Sequence, residues 1–75
     1  MKVDRQDRAA QGIRFSVSGN DGEVARAYLY MMTNDLHQAP FGLLEDVYVD
    51  ESQRGSGVGS ALVKEVIAAA RQAGC

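Results

Sequence analysis

The chain has 75 residues, a formal net charge of −2 and 45% hydrophobic residues. It forms one domain at most, and its core is expected to be small, because a chain this short buries only about 60% of its unfolded surface. The slightly acidic balance argues against nucleic acid as a partner, and the lack of a membrane-length apolar run or signal peptide predicts a cytoplasmic protein without membrane contact. One cysteine, Cys75, excludes an internal disulfide, and no spacing of ligand residues predicts a metal site.

The first half of the chain predicts a β-hairpin. Residues 1–12 alternate in charge sign without apolar periodicity, and we expect a solvated lead-in without function. From residue 13 to 18, apolar and polar residues alternate strictly, as in a half-buried strand. Residues 19–22, Gly-Asn-Asp-Gly, supply turn chemistry, and a second alternating run follows over 24–32.

One face of this second strand carries Arg26, Tyr28 and Tyr30. Such a face could line a cleft, although tyrosines also cover sheets because they are good strand formers. The polar residues 33–40 then form a loop that ends in the only proline. The only histidine, His37, lies in this loop; it could shuttle protons, but a single loop histidine without a partner is typically solvated.

The third predicted strand, residues 41–49, carries two acids, Glu45 and Asp46, within an otherwise apolar run. Strands disfavour acidic residues. Consecutive strand residues point to opposite faces, so one acid would face whatever covers the sheet unless a β-bulge re-aims it. An edge position, or ion pairs to Arg14 or Arg26, would account for both acids without any function.

A glycine-rich segment, Arg54-Gly55-Ser56-Gly57-Val58-Gly59, follows this strand. Glycines at alternate positions allow positive φ values and leave the backbone N–H groups open to a ligand. The helix predicted over 58–73 begins inside this segment, so its unpaired first-turn N–H groups and positive dipole end face the same hollow, with Arg54 as a cation at the rim. The segment is therefore a candidate phosphate or pyrophosphate site.

The same helix has one apolar face, which we expect to pack on the sheet. Arg71 suits its negative C-terminal end, and Gly74 is well placed as the residue that ends it. The apolar stripe consists of Val58, Leu62, Val66, Ala69 and Ala73, flanked by Val63, Ile67 and Ala70.

Spacing distinguishes the glycine segment from two known phosphate loops. A P-loop requires Gly-Lys-[Ser/Thr], whereas the next lysine here, Lys64, lies one turn into the helix; a dinucleotide fingerprint requires G-x-G-x-x-G. The pattern R-x-x-G-x-G over 54–59, preceded by Leu-Leu-Glu-Asp-Val-Tyr-Val-Asp and followed by Ala-Leu-Val-Lys-Glu-Val-Ile, instead resembles the GNAT superfamily of N-acetyltransferases.

This resemblance implies an N-acetyltransferase that moves the acetyl group of acetyl-CoA to a primary amine, by direct attack in a ternary complex. The acceptor would be a small molecule or a peptide. In the family the matching strand bulges, and its backbone pairs with the pantetheine arm of CoA. Glu45 or Asp46, directly or through water, is the expected general base. By position, the cofactor-binding residues would be Val47, Tyr48 and Val49 for pantetheine, and Arg54, Gly55, Ser56, Gly57, Val58, Gly59 and Ser60 for the pyrophosphate.

The resemblance covers residues 13–75 and the first half of the family fold. We therefore expect an α/β (α+β) protein in which a three-stranded antiparallel sheet is followed by one packed amphipathic helix, an incomplete acyl-CoA N-acyltransferase fold within a single domain, 1–75. Family members continue into further strands and a helix that carry the acid for the leaving thiolate. Self-association, as a dimer, or a partner would complete the fold, and a non-catalytic CoA-binding or assembly module stays open as an alternative to the enzyme.

Overall fold

The structure is a computed structural model that describes residues 1–75. Three antiparallel strands come first, and a short 3-10 turn then leads into one α-helix. The strand order is β1-β2-β3, so β1 and β3 are both edge strands. This architecture confirms the predicted fold class. The elements are β1 (Gln11–Gly19), β2 (Gly22–Met32), β3 (Phe41–Val49), the 3-10 turn (Glu51–Gln53) and α1 (Val58–Gln72).

The predicted boundaries agree with the structure within two residues. β3 spans the predicted residues, and α1 ends one residue earlier than predicted. The predicted lead-in is two residues too long, because Gln11 and Gly12 pair with Met31 and Tyr30 of β2. Residues 1–10 are exposed and contain no helix or strand, as expected for a solvated segment.

β2 forms the centre of the core because its apolar side chains alternate on one face. Leu62 and Val66 of α1 cover this face, and the small side chains of Ala25 and Ala27 allow the helix to approach the sheet closely. A fully buried Leu or Val contributes about 1.5 to 3 kcal/mol. Only six of the 75 residues are buried, so the core is as small as the chain length predicts. They are Ala25, Ala27, Leu29, Met31, Leu62 and Val66.

α1 ends at a left-handed glycine, as predicted for Gly74, which has a φ of 89°. The N–H of Cys75 donates to the carbonyl of Ala70 at 2.9 Å, and the N–H of Gly74 donates to the carbonyl of Arg71 at 3.0 Å. These two bonds form a Schellman motif, which satisfies carbonyls that the helix end would leave unpaired.

β3 contains a β-bulge, which the resemblance to the GNAT superfamily implied and which was one of the explanations left open for the two acids. Two residues of β3, Asp46 and Val47, stand opposite a single residue of β2, Ala27. Asp46 has a φ of 53° and is the only non-glycine residue with a positive φ. Aspartate tolerates this left-handed region better than most residues, because its short polar side chain can hydrogen-bond locally. The left-handed backbone conformation therefore explains why an acidic residue occupies position 46 of the strand.

The ion pairs suggested for these acids do not form. Arg14 and Arg26 both face Glu23, at 2.6 Å and 3.8 Å between nitrogen and oxygen. Neither Glu45 nor Asp46 takes part in an ion pair or side-chain hydrogen bond. The suggested edge position is correct, since β3 is an edge strand.

β3 is also exposed along most of its length. Its outer edge pairs with no strand. Ile67 of α1 is 46% exposed and lies with Leu44 along a groove of about 350 Å³ between helix and strand. The large apolar side chains of β3, each 37–49% exposed, are Phe41, Leu43, Leu44, Val47 and Tyr48.

We predict that the chain associates with itself through the first half of β3, residues 41–44, because an unpaired edge with exposed apolar side chains is a template for strand pairing. A twofold pair buries the same surface on both copies. Sedimentation equilibrium over a range of concentrations should reveal a dimer or larger species. Leu44→Lys, which places a charge on the edge, should shift this equilibrium to monomer.

Leu36→Lys is the matched control, because Leu36 lies in the loop before β3 and is already 88% exposed. It should leave the association unchanged. A monomer at every concentration, or equal effects of the two lysine variants, would contradict the prediction.

Candidate functional site

The glycine segment folds into an open hollow of about 420 Å³ at the junction of β3 and α1. Gly55 and Gly57 have φ values of 85° and 90°. A Cβ added to either residue would meet no atom within 4 Å, so it would project into open space. A ligand can therefore reach the backbone at both positions, which a larger side chain would cover.

Backbone N–H groups in this segment have no acceptor within the protein. The first hydrogen bond of the helix runs from the N–H of Ala61 to the carbonyl of Gly57, at 3.0 Å. Gly57 is the N-cap, and it offers no side chain to cap the helix. Free N–H groups and the positive end of the helix dipole together favour an anion. The residues with free N–H groups are Gly55, Gly57, Val58, Gly59 and Ser60.

Gly59 differs from the other two glycines. It lies in the first turn of α1, and its φ is not positive, so the expectation of positive φ holds for two of the three alternate glycines. A Cβ at Gly59 would lie 3.5 Å from Cγ2 of Val49, an ordinary contact. Gly59 therefore faces the end of β3, where the helix and the strand meet.

Most residues predicted to bind the cofactor meet at the hollow. Ser56 does not line it, because its N–H and hydroxyl both donate to the carbonyl of Gln53. Val58 packs against the core, and Val47 and Tyr48 lie farther along β3. The predicted residues that do line the hollow are Val49, Arg54, Gly55, Gly57, Gly59 and Ser60.

Gln53, which also lines the hollow, and Asp50 were not predicted from the sequence. One carboxylate oxygen of Asp50 accepts from the N–H of Ser52 at 3.1 Å and from the Ser52 hydroxyl. The other oxygen accepts from the hydroxyl of Tyr48 at 3.0 Å. Asp50 thus anchors the 3-10 turn that leads into the hollow. The Asp-x-Ser pattern at residues 50–52 is a turn and capping signal that identifies this contact.

These contacts shift two pKa values. Hydrogen bonds from Ser52, followed by the one from Tyr48, lower the pKa of Asp50 below its usual value. The hydrogen bond to Asp50 raises the pKa of Tyr48. Because the pKa of Asp50 is lower in the folded state, its contribution to stability is complete above its unfolded pKa of about 3.9 and is lost as the pH falls through the folded pKa.

The two predicted catalytic acids lie on β3, next to the bulge and away from the hollow. Glu45 pairs in register with Tyr28, so both side chains lie on the face of the sheet opposite α1. Asp46 lies at the bulge itself. The structure therefore separates the acids from the anion hollow by the end of β3, residues 47–49.

The tyrosine face of β2 is open. Tyr28 and Tyr30 stack with their ring centroids 6.2 Å apart, and neither lines a cavity. Glu23 accepts hydrogen bonds from Arg14, which raises the pKa of Arg14 and lowers that of Glu23. Arg26 lies over the ring of Tyr48 at 4.8 Å. The suggested cleft along this face is absent from the chain as described.

Comparison of the sequence with known protein families identifies the family to which the chain belongs. The model of the Acetyltransferase (GNAT) family matches residues 3–75. The chain belongs to the GNAT family. This match also takes in most of residues 1–12, so it is longer than the predicted resemblance over 13–75. Comparison with curated proteins and with solved structures found no match.

Membership of the GNAT family establishes an acetyltransferase-type function in general terms, and the family generally uses acetyl-CoA. No cluster of three or more His, Cys, Asp or Glu side chains is placed to hold a metal ion. No helix is both long enough and apolar enough to cross a bilayer.

We predict that Asp50→Asn lowers the melting temperature at neutral pH by a few degrees, because asparagine still accepts from the N–H of Ser52 but loses the carboxylate charge and the second oxygen, which accepts from the Tyr48 hydroxyl. The difference from the unchanged protein should begin to shrink as the pH falls below about 3.9, the unfolded pKa, and should be smallest below the lower folded pKa, where Asp50 is neutral in both states. Thermal unfolding followed by circular dichroism at neutral and acidic pH measures both differences. Glu65→Gln, at an exposed acid of α1 without hydrogen bonds, should change little. An Asp50→Asn effect of equal size at both pH values would contradict the interpretation.

Proposed function

We propose that this chain binds acetyl-CoA and transfers its acetyl group to a primary amine, by direct attack within a ternary complex. The observation that carries the proposal is the hollow of free N–H groups and bare glycine backbone at the start of α1, in a chain of the GNAT family. We propose further that residues 1–75 act as one domain that holds the cofactor.

The hollow fits a pyrophosphate on two counts. The free N–H groups of Gly55, Gly57 and the first helical turn can donate to phosphate oxygens. Arg54 lines the hollow and forms no ion pair, so its guanidinium is available to balance the charge. When bound, acetyl-CoA supplies the acetyl thioester that the amine attacks.

We propose that the outer edge of β3 holds the pantetheine arm. The edge is unpaired over Val47, Tyr48 and Val49, so backbone groups there are free to bond an extended amide chain. Residues 47–49 lead directly to the hollow, as one continuous site for a long cofactor requires. The bulge at Asp46 interrupts the regular hydrogen-bond ladder of β3 next to residues 47–49. A backbone N–H at the bulge would stabilise the negative charge that develops on the thioester carbonyl oxygen when the amine attacks.

Glu45 is the better of the two candidate bases. Its carboxylate has no ion-pair partner and shares a face with Tyr28, whereas Asp46 is accounted for by the left-handed backbone of the bulge. Glu45 would accept a proton from the acceptor's ammonium group, directly or through water. The neutral nitrogen would then bond to the thioester carbon, the carbon–sulfur bond would break, and the proton that the nitrogen gives up to form the amide would pass, directly or through water, to the departing thiolate.

The exposed edge and faces of β3 favour a second candidate function. In this alternative the chain is a CoA-binding module without catalysis of its own, and it contributes its hollow to an assembly with another copy or partner. Cofactor binding without acetyl transfer to any amine would support this alternative.

We predict that millimolar acetyl-CoA raises the melting temperature, because it binds the folded chain alone; a hundredfold excess over the Kd adds about 2.7 kcal/mol to the free energy of unfolding. Gly57→Ala should weaken this binding about tenfold, because its Cβ enters the hollow. The control is Gly22→Ala, in the β1–β2 turn. Gly22 also has a positive φ, 125°, and open space around it, so both variants strain the backbone by about 1 kcal/mol.

Thermal-shift measurements report the loss of stability in each glycine variant, and calorimetry reports its affinity for acetyl-CoA. Both variants should melt at a lower temperature, and only Gly57→Ala should lose affinity. No shift with acetyl-CoA or CoA would refute the cofactor proposal, and equal affinities of the two variants would show that the hollow is only a strand-to-helix turn.

We predict that Glu45→Gln lowers kcat for acetyl transfer about a hundredfold or more, with little change in acetyl-CoA affinity, because a general base is lost. Asp46→Asn is the matched control, since asparagine also tolerates the left-handed region. Release of CoA thiol, measured with a panel of primary amines, reports the rate. Unchanged turnover in Glu45→Gln would remove Glu45 as the base, and a loss confined to Asp46→Asn would assign the role to Asp46.

A further inference from the structure

The loop that leads into the anion hollow is a β-turn over residues 53–56. Its two central residues have the dihedral angles of a type II turn: Arg54 has a φ of −65° and a ψ of 132°, and Gly55 has a φ of 85°. A type II turn requires a positive φ at its third residue, which glycine adopts without steric cost. Gly55 therefore serves the turn as well as the hollow.

Ser56 closes this turn twice. Its N–H donates to the carbonyl of Gln53 at 3.1 Å, and its hydroxyl donates to the same oxygen at 2.5 Å. Roughly a third to a half of β-turns lack even the first of these bonds, so the second makes this turn unusually well closed. The side chain of Ser56 is exposed and does not line the hollow, and the bond to Gln53 is its only hydrogen bond.

The turn is also fixed to the sheet. The N–H of Asp50 donates to the carbonyl of Val24 in β2 at 2.7 Å, and the N–H of Gln53 donates to the carbonyl of Asp50 at 2.9 Å. Gln53 is thus held at its N–H by the 3-10 turn and at its carbonyl by Ser56. An unbroken series of hydrogen bonds connects the central strand to the glycine segment, and Ser56 supplies its last step.

The two glycines that flank Ser56 depend on this closure. Gly55 and Gly57 are both left-handed and both have free N–H groups at the hollow. Glycine populates positive and negative φ about equally, so neither residue holds this conformation by itself. A change of φ at either glycine rotates the adjoining peptide and moves its N–H away from the hollow. A closed turn therefore keeps both donors in place.

We propose that Ser56 is a positioning residue for the pyrophosphate, which holds the glycine segment in its binding conformation and does not touch the ligand. Ser56 acts through the backbone of its neighbours, and not as the direct cofactor contact that the family resemblance implied. A preorganised loop binds more tightly, because less conformational freedom is lost on binding. This inference rests on the proposed binding of acetyl-CoA.

The experiment compares Ser56→Ala, which removes the hydroxyl, with Ser56→Thr, which keeps it. Loss of one hydrogen bond shifts the closing of the turn about fivefold, and the affinity falls with the closed fraction. Calorimetry should therefore show about fivefold weaker acetyl-CoA binding in Ser56→Ala and restored binding in Ser56→Thr. In turnover assays, Ser56→Ala should raise KM for acetyl-CoA and leave kcat unchanged.

NMR of the protein without ligand tests the geometry by itself. The couplings between the amide and Hα protons of Gly55 and Gly57 report φ, and they should become averaged in Ser56→Ala and return in Ser56→Thr. The amide of Ser56 should exchange faster with solvent in the alanine variant. Ser16→Ala is the matched control, because Ser16 is an exposed serine of β1 whose hydroxyl makes no hydrogen bond. It should change neither the couplings nor the affinity.

Unchanged couplings in Ser56→Ala, or a loss that Ser56→Thr does not restore, would overturn the proposal. A lower melting temperature with unchanged acetyl-CoA affinity would also overturn it, since Ser56 would then have a structural role only. Averaged couplings in Ser56→Ala, together with no binding of acetyl-CoA by the unchanged protein, would support the positioning of the glycines by Ser56 and refute the proposed function.

Discussion

The packing of α1 on β2 is the interaction on which the rest of the structure depends. Leu62 and Val66 are the only buried residues of the helix, and they rest on a strand face whose alanines permit close approach. This contact sets the position of the helix start beside the end of β3, and hence the hollow. With so few buried residues, the stability of the fold and the geometry of the site rely on the same side chains, so a cavity under Leu62 would affect both.

The bulge at Asp46 is the second constraint, because it breaks the regular ladder of an edge strand. Before it, Glu45 shares a face with Tyr28; after it, Tyr48 shares that face with Arg26. A strand without the bulge would place these two side chains on opposite faces, since they are three residues apart. The left-handed Asp46 therefore keeps the acid and the polar contacts of Tyr48 on one side, and leaves the other side to α1 and the hollow.

Much of the fold could be predicted from the sequence because local patterns specify it. Period-two alternation identified β1 and β2, and the glycines identified the turn and both helix ends, whereas the bulge was implied by the family resemblance. Such local patterns do not predict contacts between residues that are distant in the sequence. Glu23 was not predicted as the partner of both arginines, because that contact depends on which rotamer the neighbouring strand permits. The cap by Asp50 is local, and the Asp-x-Ser pattern at residues 50–52 is sufficient to identify it.

The uncapped start of α1 has a consequence for local stability. An Asn, Asp or Ser at the N-cap would stabilise the helix by roughly a few tenths of a kcal/mol relative to glycine, yet such a side chain would occupy the space that Gly57 leaves open. The helix thus gives up a little intrinsic stability in its first turn, and in the proposed complex the anion would supply the missing acceptors. Fraying of this turn and the proposed binding would then be opposing equilibria of the same N–H groups. Their amide hydrogens would exchange quickly in the free chain and slowly in the complex, while the turns around Leu62 and Val66 would stay protected in both.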